Sequence, residues 1–190
     1  MDASRTFTLF SDFNCPFCYA LHERLHGLQL IDRCAWQGVE HAPYLPVPMQ
    51  PWRGSLGAEL RHEVGIVRRL SPDLPLELPV GKPNTAHAIA TAAAMLAGDR
   101  DAGMSLVRKI YQAFWVEGRD ISNDAELARL SGTAPSRQST ATSMAAPRKW
   151  VEAWEATGQA GLPLIVAPDE ELLIGCVPSN AIVKFFADHS

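Results

Sequence analysis

The stretch that decides the fold reads Phe10-Ser11-Asp12-Phe13-Asn14-Cys15-Pro16-Phe17-Cys18-Tyr19. It begins at the end of a short segment, residues 6–10, whose threonine, phenylalanine and leucine residues are typical of a β-strand. It leads into residues 19–31, which have helical periodicity. The sequence therefore predicts a Cys-x-x-Cys pair at the point where a strand gives way to a helix.

This placement matters for the chemistry of Cys15. The first turn of a helix leaves backbone N–H groups without intrahelical partners and carries about half a positive charge. A sulfur there is stabilised as a thiolate, so its pKa falls below the ordinary value of about 8.5. Pro16 suits the first helical position, where no N–H is needed. We expect Cys15 to be the exposed, attacking sulfur and Cys18 the shielded, resolving sulfur.

A zinc site is the competing interpretation of a Cys-x-x-Cys pair, because zinc takes four ligands that often come from two such pairs. Here Cys34 and Cys176 are single and far apart, and His22 and His26 share the predicted helix with the cysteine pair. We therefore expect no metal.

The composition limits the class of protein. The chain has 190 residues, of which 47% are hydrophobic, and a net charge of −4, which favours one globular domain or one domain with a large insertion. No basic block indicates nucleic acid, and no apolar run approaches the ~20 residues of a membrane span. No secretory leader pattern precedes residue 6, so we expect a cytoplasmic protein with reduced thiols.

The first part of the chain reads as strand, helix and strand, with the second strand at residues 34–39 and hence parallel to the first. Residues 41–52 contain four prolines and cannot form a helix. Their aromatic residues Tyr44 and Trp52 either line a binding groove or pack on the domain surface.

From residue 55 to residue 158 the sequence predicts only helices and their connections. Residues 131–143 are either a loop or a short helix, and Pro147 is expected to open the last helix of this region. Asn123 followed by Glu126 resembles a capping box. The chain then predicts a hairpin over residues 161–175 and a closing helix over residues 178–187. The other predicted helices span residues 55–70, 84–96, 99–118 and 123–130.

This layout, with Cys-Pro-Phe-Cys on the first helix, resembles the DsbA-like thioredoxin superfamily. Within it, three passages resemble the branch related to FrnE and 2-hydroxychromene-2-carboxylate isomerase: residues 11–19, Pro83-Asn84-Thr85-Ala86-His87 and Val116-Glu117-Gly118-Arg119-Asp120-Ile121. The resemblance implies an α/β thioredoxin-like fold (βαβ…ββα) with a large all-helical insertion. Residues 1–54 and 159–190 would form the thioredoxin-like domain, and residues 55–158 the inserted helical domain.

The resemblance also assigns site residues. Gly161-Leu162-Pro163 matches the position of the family's cis-proline, which lies opposite the cysteine pair and leaves the backbone of Leu162 free to pair with an extended substrate. The catalytic residues would then be Cys15, Cys18 and Pro163. The substrate-binding residues would be Pro16, Phe17, Leu162, Tyr44 and Trp52.

The sequence departs from the family in two places. Phe17 stands where DsbA has His, and Leu9 aligns with an acidic residue that some relatives bury. We therefore expect the pKa of Cys15 to lie below 8.5 but above the ~3.5 of DsbA. Asp12 and His22 are candidates for proton transfer. The alternatives are that Asp12 is a solvated turn residue and that His22 is a partly exposed helix residue, which we favour for His22.

Four further residues are expected to be structural. Cys34 and Cys176 would lie on strands about 14 Å apart, too far for a disulfide, and would act as small core residues. His87 and Trp115 are expected to pack inside the helical region, with a groove wall as the alternative.

Three functions follow. The leading one is a thiol–disulfide oxidoreductase that acts on protein or peptide thiols through a mixed disulfide, with no cofactor beyond its own Cys15–Cys18 disulfide and with glutathione as a candidate co-substrate. The alternatives are a glutathione-dependent isomerase or transferase of small aromatic substrates, and a redox-regulated chaperone. The sequence leaves the oligomeric state open.

Overall fold

The computed structural model describes residues 6–133 and 145–189. Its sheet has four strands in the order β2-β1-β3-β4. β1 pairs in parallel with β2 and antiparallel with β3, which in turn pairs antiparallel with β4. The strands are β1 (Phe7–Ser11), β2 (Cys34–Gly38), β3 (Leu164–Val166) and β4 (Leu172–Ile174).

Helices lie between and around these strands and complete a thioredoxin-like α/β fold. The first helix joins β1 to β2, five described helices fall between β2 and β3, and the last follows β4. They are α1 (Pro16–Gly27), α2 (Leu56–Leu70), α3 (Ala86–Gly98), α4 (Arg100–Trp115), α5 (Asp124–Ser131), α6 (Ala145–Ala156) and α7 (Ser179–Asp188). Within the described ranges, none of these helices is long and apolar enough to cross a membrane.

The prediction for α1 was correct in placing Pro16 at the first helical position and wrong at the other end. The helix begins at Pro16, directly after the N-cap residue Cys15, and Cys18 lies in its first turn, but it ends at Gly27 and not at residue 31. The backbone of Gln29 has a positive φ of 58°, which interrupts the helix before a separate 3-10 turn at Ile31–Arg33.

Helix caps explain several of the other boundaries. Asp99 caps α4 by accepting the N–H groups of Asp101 and Ala102, and Asn123 caps α5. The predicted capping box is only half formed, because the Glu126 carboxylate binds Arg119 and Arg129 instead.

The uncertain segment at residues 131–143 falls mostly outside the described residues. α6 is described from Ala145, and Pro147 lies in the first turn of this described part. Trp150 packs edge-on against Trp36 of β2, while Val151 and Trp154 cover a small cluster of Phe10, Val39 and Leu164.

An aromatic group at the centre of the main core fixes the cysteine turn to α4. Phe13 packs edge-on against Tyr111, and Tyr19 stacks near Trp115. Trp115 is fully buried and donates its indole N–H to the carbonyl oxygen of Phe13 over 2.8 Å. The predicted packing role of Trp115 is therefore confirmed, and the turn that carries the cysteines has a rigid support.

Candidate active site

The cysteine pair occupies the start of α1. Cys15 is the N-cap residue, with extended backbone, and Pro16 takes the first helical position. All four cysteines of the chain are free thiols, so Cys34 and Cys176 do not pair, as predicted. Cys15 is only 8% exposed and Cys18 1%, so Cys15 is the more accessible sulfur but is not the exposed residue that we expected. The backbone of Leu162 lies against it, with the carbonyl oxygen 4.0 Å from the sulfur.

The environment of Cys15 favours its thiolate. Hydrogen bonds from the Cys18 side chain and from the Cys18 backbone N–H lower the pKa of Cys15, and the nearby charge of His41 lowers it further. Burial and the carboxylate of Asp12 oppose this shift without cancelling it. The backbone N–H of Cys18 is one of the donors at the start of a helix that have no intrahelical partner, as the sequence predicted.

Cys18 has the opposite character. Burial raises the pKa of Cys18 well above its ordinary value, and the hydrogen bond to Cys15 raises it further. The backbone N–H of Asp12 donates to the Cys18 sulfur over 3.4 Å, and the Ser11 hydroxyl also favours its thiolate. Ser11 is itself held by Tyr111, with 2.6 Å between the two hydroxyl oxygens. Cys18 is therefore a thiol at neutral pH, beside groups that can stabilise it when it ionises.

Asp12 is completely buried, so the interpretation of a solvated turn residue is wrong. Its Oδ2 accepts the backbone N–H of His41 over 3.0 Å and lies 2.6 Å from Nδ1 of the His41 ring. The contact forms because β1 and β2 are parallel and end at the same edge of the sheet, where Ser11 pairs with Gly38.

Asp12 also sets the charge of His41. Burial alone would lower the pKa of His41, but the hydrogen bond and negative charge of Asp12 raise it above its ordinary value. Our sequence reasoning missed His41 because it stands at the start of the proline-rich loop, far from the cysteines in sequence. The available signal was its place just after β2, level with Asp12 just after β1.

His22 is fully buried, so its preferred interpretation as a partly exposed residue is also wrong. Its ring lies 5.0 Å from that of Tyr111 on α4 and 4.7 Å from that of His26, between centroids. Burial lowers the pKa of His22. The residue therefore belongs to the contact between α1 and α4.

The residues expected to bind substrate form two groups, one around the cysteine pair and one in the proline-rich loop. Around the cysteine pair, the Leu162–Pro163 peptide bond is cis and lies beside Cys15. Pro16 is buried there, and Phe17 packs against the core.

In that loop, Trp52 is half-buried and donates its indole N–H to the carbonyl oxygen of Pro79 over 2.7 Å. Trp52 lines a cavity of about 350 Å³, whereas Tyr44 is 73% exposed and is not among its lining residues. His87 does not pack as predicted: it is exposed and pairs with Asp124.

The sheet, α1 and the cysteine pair together define a thioredoxin-like protein. The family model described as the DSBA-like thioredoxin domain matches residues 6–178, and the chain belongs to this family. No curated protein sequence matches the chain significantly.

Solved structures share the fold over nearly the whole chain. A probable DsbA oxidoreductase of Streptomyces coelicolor is 18% identical, with a TM-score of 0.72 over 97% of this chain and 89% of that one. A 2-hydroxychromene-2-carboxylate isomerase is 18% identical, with a TM-score of 0.73 over 96% and 93%. The cytosolic disulfide reductase DsbM of Pseudomonas aeruginosa, solved with glutathione, is 19% identical, with a TM-score of 0.68 over 96% and 94%. At these identities, the comparison establishes the fold alone.

Proposed function

We propose that the protein is a thiol–disulfide oxidoreductase that uses Cys15 and Cys18 on protein or peptide substrates. The observation that supports this most is the opposite character of the two sulfurs within one helical turn. Cys18 donates hydrogen bonds that lower the pKa of Cys15, while burial keeps Cys18 itself protonated. Thiol–disulfide exchange within one protein uses a nucleophilic thiolate next to a second cysteine that stays protonated until the mixed disulfide has formed.

In the first step the Cys15 thiolate attacks one sulfur of a substrate disulfide. A bond forms between Cys15 and that sulfur, the substrate S–S bond breaks, and the second substrate sulfur leaves as a thiolate. Leu162 and Pro163 lie where they can contact the substrate segment that carries the attacked sulfur. His41 supplies the positive charge near Cys15 that Phe17 cannot provide.

In the second step Cys18 loses its proton and attacks Cys15 within the mixed disulfide. The Ser11 hydroxyl and the Asp12 backbone N–H stabilise the Cys18 thiolate while it forms. The Cys15–Cys18 disulfide closes and the remaining substrate sulfur is released as a thiolate, so two electrons have passed from the protein to the substrate. A small thiol must then reduce the Cys15–Cys18 disulfide.

Glutathione is the small thiol that we propose for this last reaction, since the structurally similar DsbM was solved with it. A reducing compartment such as the cytosol favours the reductase direction over the oxidase direction. The same fold also occurs in an isomerase, so the fold alone does not distinguish an oxidoreductase from an isomerase. The resolving sulfur Cys18, with the Ser11 and Asp12 groups around it, favours the oxidoreductase.

The test is reduction of insulin with dithiothreitol as the electron donor. Cys15→Ser should abolish turnover. When insulin is added without dithiothreitol, Cys18→Ser should accumulate a mixed disulfide between Cys15 and a substrate cysteine, detected as added mass that a reductant removes. Cys34→Ala is the matched control and should retain activity, because Cys34 pairs with Phe7 at the opposite end of β1 and β2. Wild-type activity in the Cys15→Ser variant would refute the proposal.

A further inference from the structure

A second pocket is lined by none of the residues that act in the proposed mechanism. It opens between the proline-rich loop, the start of α2 and the chain before α3, and its volume is about 350 Å³. We call it the Trp52 pocket. Its lining residues are Leu45, Pro46, Gln50, Pro51, Trp52, Arg53, Leu56 and Lys82.

Backbone contacts hold the walls of the Trp52 pocket in place. Trp52 donates its backbone N–H to Val80 over 2.9 Å, and Pro51 forms a β-bridge with Gly81. The two segments approach so closely that a Cβ on Gly81 would lie 2.1 Å from the carbonyl oxygen of Gln50. The pocket is therefore a built feature of the fold, and its indole wall is fixed in orientation.

The charge of the Trp52 pocket is one-sided. Arg53 and Lys82 line it, and none of its lining residues in the described structure is a carboxylate. Lys82 contacts Nε2 of His41 over 3.3 Å, and Arg53 has no ion-pair or hydrogen-bond partner within residues 6–133 and 145–189. Two cations without carboxylates, on a chain with a net charge of −4, favour an anionic occupant.

The Trp52 pocket is coupled to the cysteine turn by two separate contacts. Lys82 reaches His41, which is hydrogen-bonded to Asp12, three residues before Cys15. The next residue after Lys82, Pro83, accepts the side-chain N–H of Asn14 over 2.9 Å. The wall of the pocket is therefore hydrogen-bonded to the segment that carries Cys15 at Asn14 and, through His41, at Asp12.

We propose that the Trp52 pocket binds the substrate segment that flanks the reacting cysteine, and that it selects a peptide with an apolar side chain next to a carboxylate. The apolar side chain would lie against Trp52 and Leu56, and the carboxylate would pair with Arg53 and Lys82. This inference rests on the proposed oxidoreductase function. Glutathione has carboxylates but no apolar side chain for the pocket walls, so it is a poorer fit than such a peptide.

The experiment compares four short peptide disulfides of equal length, with either Leu or Gly and either Glu or Lys next to the cysteine. For the wild-type protein, we expect the Leu-Glu peptide to have the highest kcat/KM. Replacing Leu by Gly should lower it by about tenfold or more, since the loss of one methylene from an apolar pocket already costs about tenfold. Replacing Glu by Lys should lower it by about three- to tenfold.

Charge reversal tests the assignment directly. Arg53→Glu should raise KM for the Leu-Glu peptide and lower KM for the Leu-Lys peptide, a gain that misfolding cannot produce. Lys184→Gln on α7, far along the chain from the pocket, is the matched control and should keep the wild-type order of the four peptides. Equal kcat/KM for all four peptides, a preference for glutathione disulfide over every peptide, or an unchanged order in Arg53→Glu would overturn the assignment.

The proposed function has a separate readout. If wild-type protein reduces hydroxyethyl disulfide, a small neutral substrate, but does not discriminate among the peptides, the oxidoreductase function stands and the pocket assignment is wrong. If it reduces none of these disulfides, the oxidoreductase function itself fails.

Discussion

Asp12 and His41 form a hydrogen-bonded pair, 2.6 Å between Oδ2 and Nδ1, at the edge of the sheet near Cys15. The side chain of Asp12 is inaccessible to solvent, whereas that of His41 is 34% exposed. In DsbA, which this sequence resembles, a histidine stands between the two cysteines, and here Phe17 takes that place. The positive charge near Cys15 comes instead from the loop after β2.

Removal of the His41 ring should make Cys15 less reactive. His41 faces Asp12, Lys82 and Cys15, and its charge helps to lower the pKa of Cys15. In His41→Ala the pKa of Cys15 should therefore rise, and alkylation by iodoacetamide at neutral pH should slow by about two- to tenfold. The pH profile of the alkylation rate should shift to higher pH. His62→Ala, an exposed histidine on α2, should leave the profile unchanged.

His41 should also make stability depend on pH. Its pKa in the folded protein is raised above the ordinary value of about 6.5, so protonated His41 stabilises the fold. This contribution is complete below about pH 6.5 and is lost as the pH rises through the folded-state pKa. Urea unfolding of proteins with and without His41→Gln, both carrying Cys15→Ser and Cys18→Ser, measures it. The protein with His41 should have the higher free energy of unfolding, and its difference from the His41→Gln protein should decrease between about pH 6 and about pH 9. A difference that increases over this range would contradict the assignment.

The pair of Glu23 and Arg108 should stabilise the contact between α1 and α4. Arg108 donates two hydrogen bonds to Glu23, of 2.9 and 2.7 Å. Burial would raise the pKa of Glu23, but the contacts with His22 and Arg108 outweigh it and lower the pKa to about 2. The resulting stability is present above the unfolded pKa of about 4.3 and is lost as the pH falls toward 2.

Glu23→Gln should therefore reduce the free energy of unfolding at neutral pH by about 1–3 kcal/mol, a range that allows for the partly exposed Arg108. The effect should become small near pH 2. Glu63→Gln on α2 is the control and should change the free energy of unfolding by less than about 0.5 kcal/mol. An equal loss at both pH values would show that Glu23 acts through packing and not through its charge.

Two glycine substitutions should have effects of opposite sign. A Cβ on Gly81 would meet the Gln50 carbonyl oxygen at 2.1 Å, so Gly81→Ala should destabilise the protein by about 1–3 kcal/mol. A Cβ on Gly65, inside α2, would meet only the Arg69 side chain at 3.6 Å. Gly65→Ala should therefore stabilise by about 0.5–1 kcal/mol, since alanine favours a helix over glycine. Thermal unfolding of both variants tests this, and a neutral Gly81→Ala would contradict the close approach that holds the Trp52 pocket.

Local sequence signals predicted the cysteine turn and most of the elements around it. The strand, the Cys-x-x-Cys pair and Pro16 lie within about a dozen residues, and the caps Asp99 and Asn123 act on N–H groups two or three residues away. The end of α1 was not predicted, because it depends on the positive φ of Gln29. Glutamine is not a residue that favours a positive φ, so the sequence at this position did not indicate it.

The hydrogen-bond partners of the site residues were harder to predict from the sequence. Asp12 meets His41 across 29 residues, and Ser11 meets Tyr111 across 100. Such contacts depend on which strand ends and which helix face the fold brings together. Burial of Asp12 and His22 follows from the same packing, which explains why a local interpretation placed both closer to solvent.

The most direct test of the account is a pH titration of thiolate absorbance in the reduced protein. We predict one transition below the ordinary thiol value of about 8.5, and its loss in Cys15→Ser. Cys18, Cys34 and Cys176 should not contribute there, because burial raises the pKa of each, to about 12 for Cys34. The absence of any transition below about 8.5, or a transition that persists in Cys15→Ser, would contradict the claim that Cys15 is the activated sulfur.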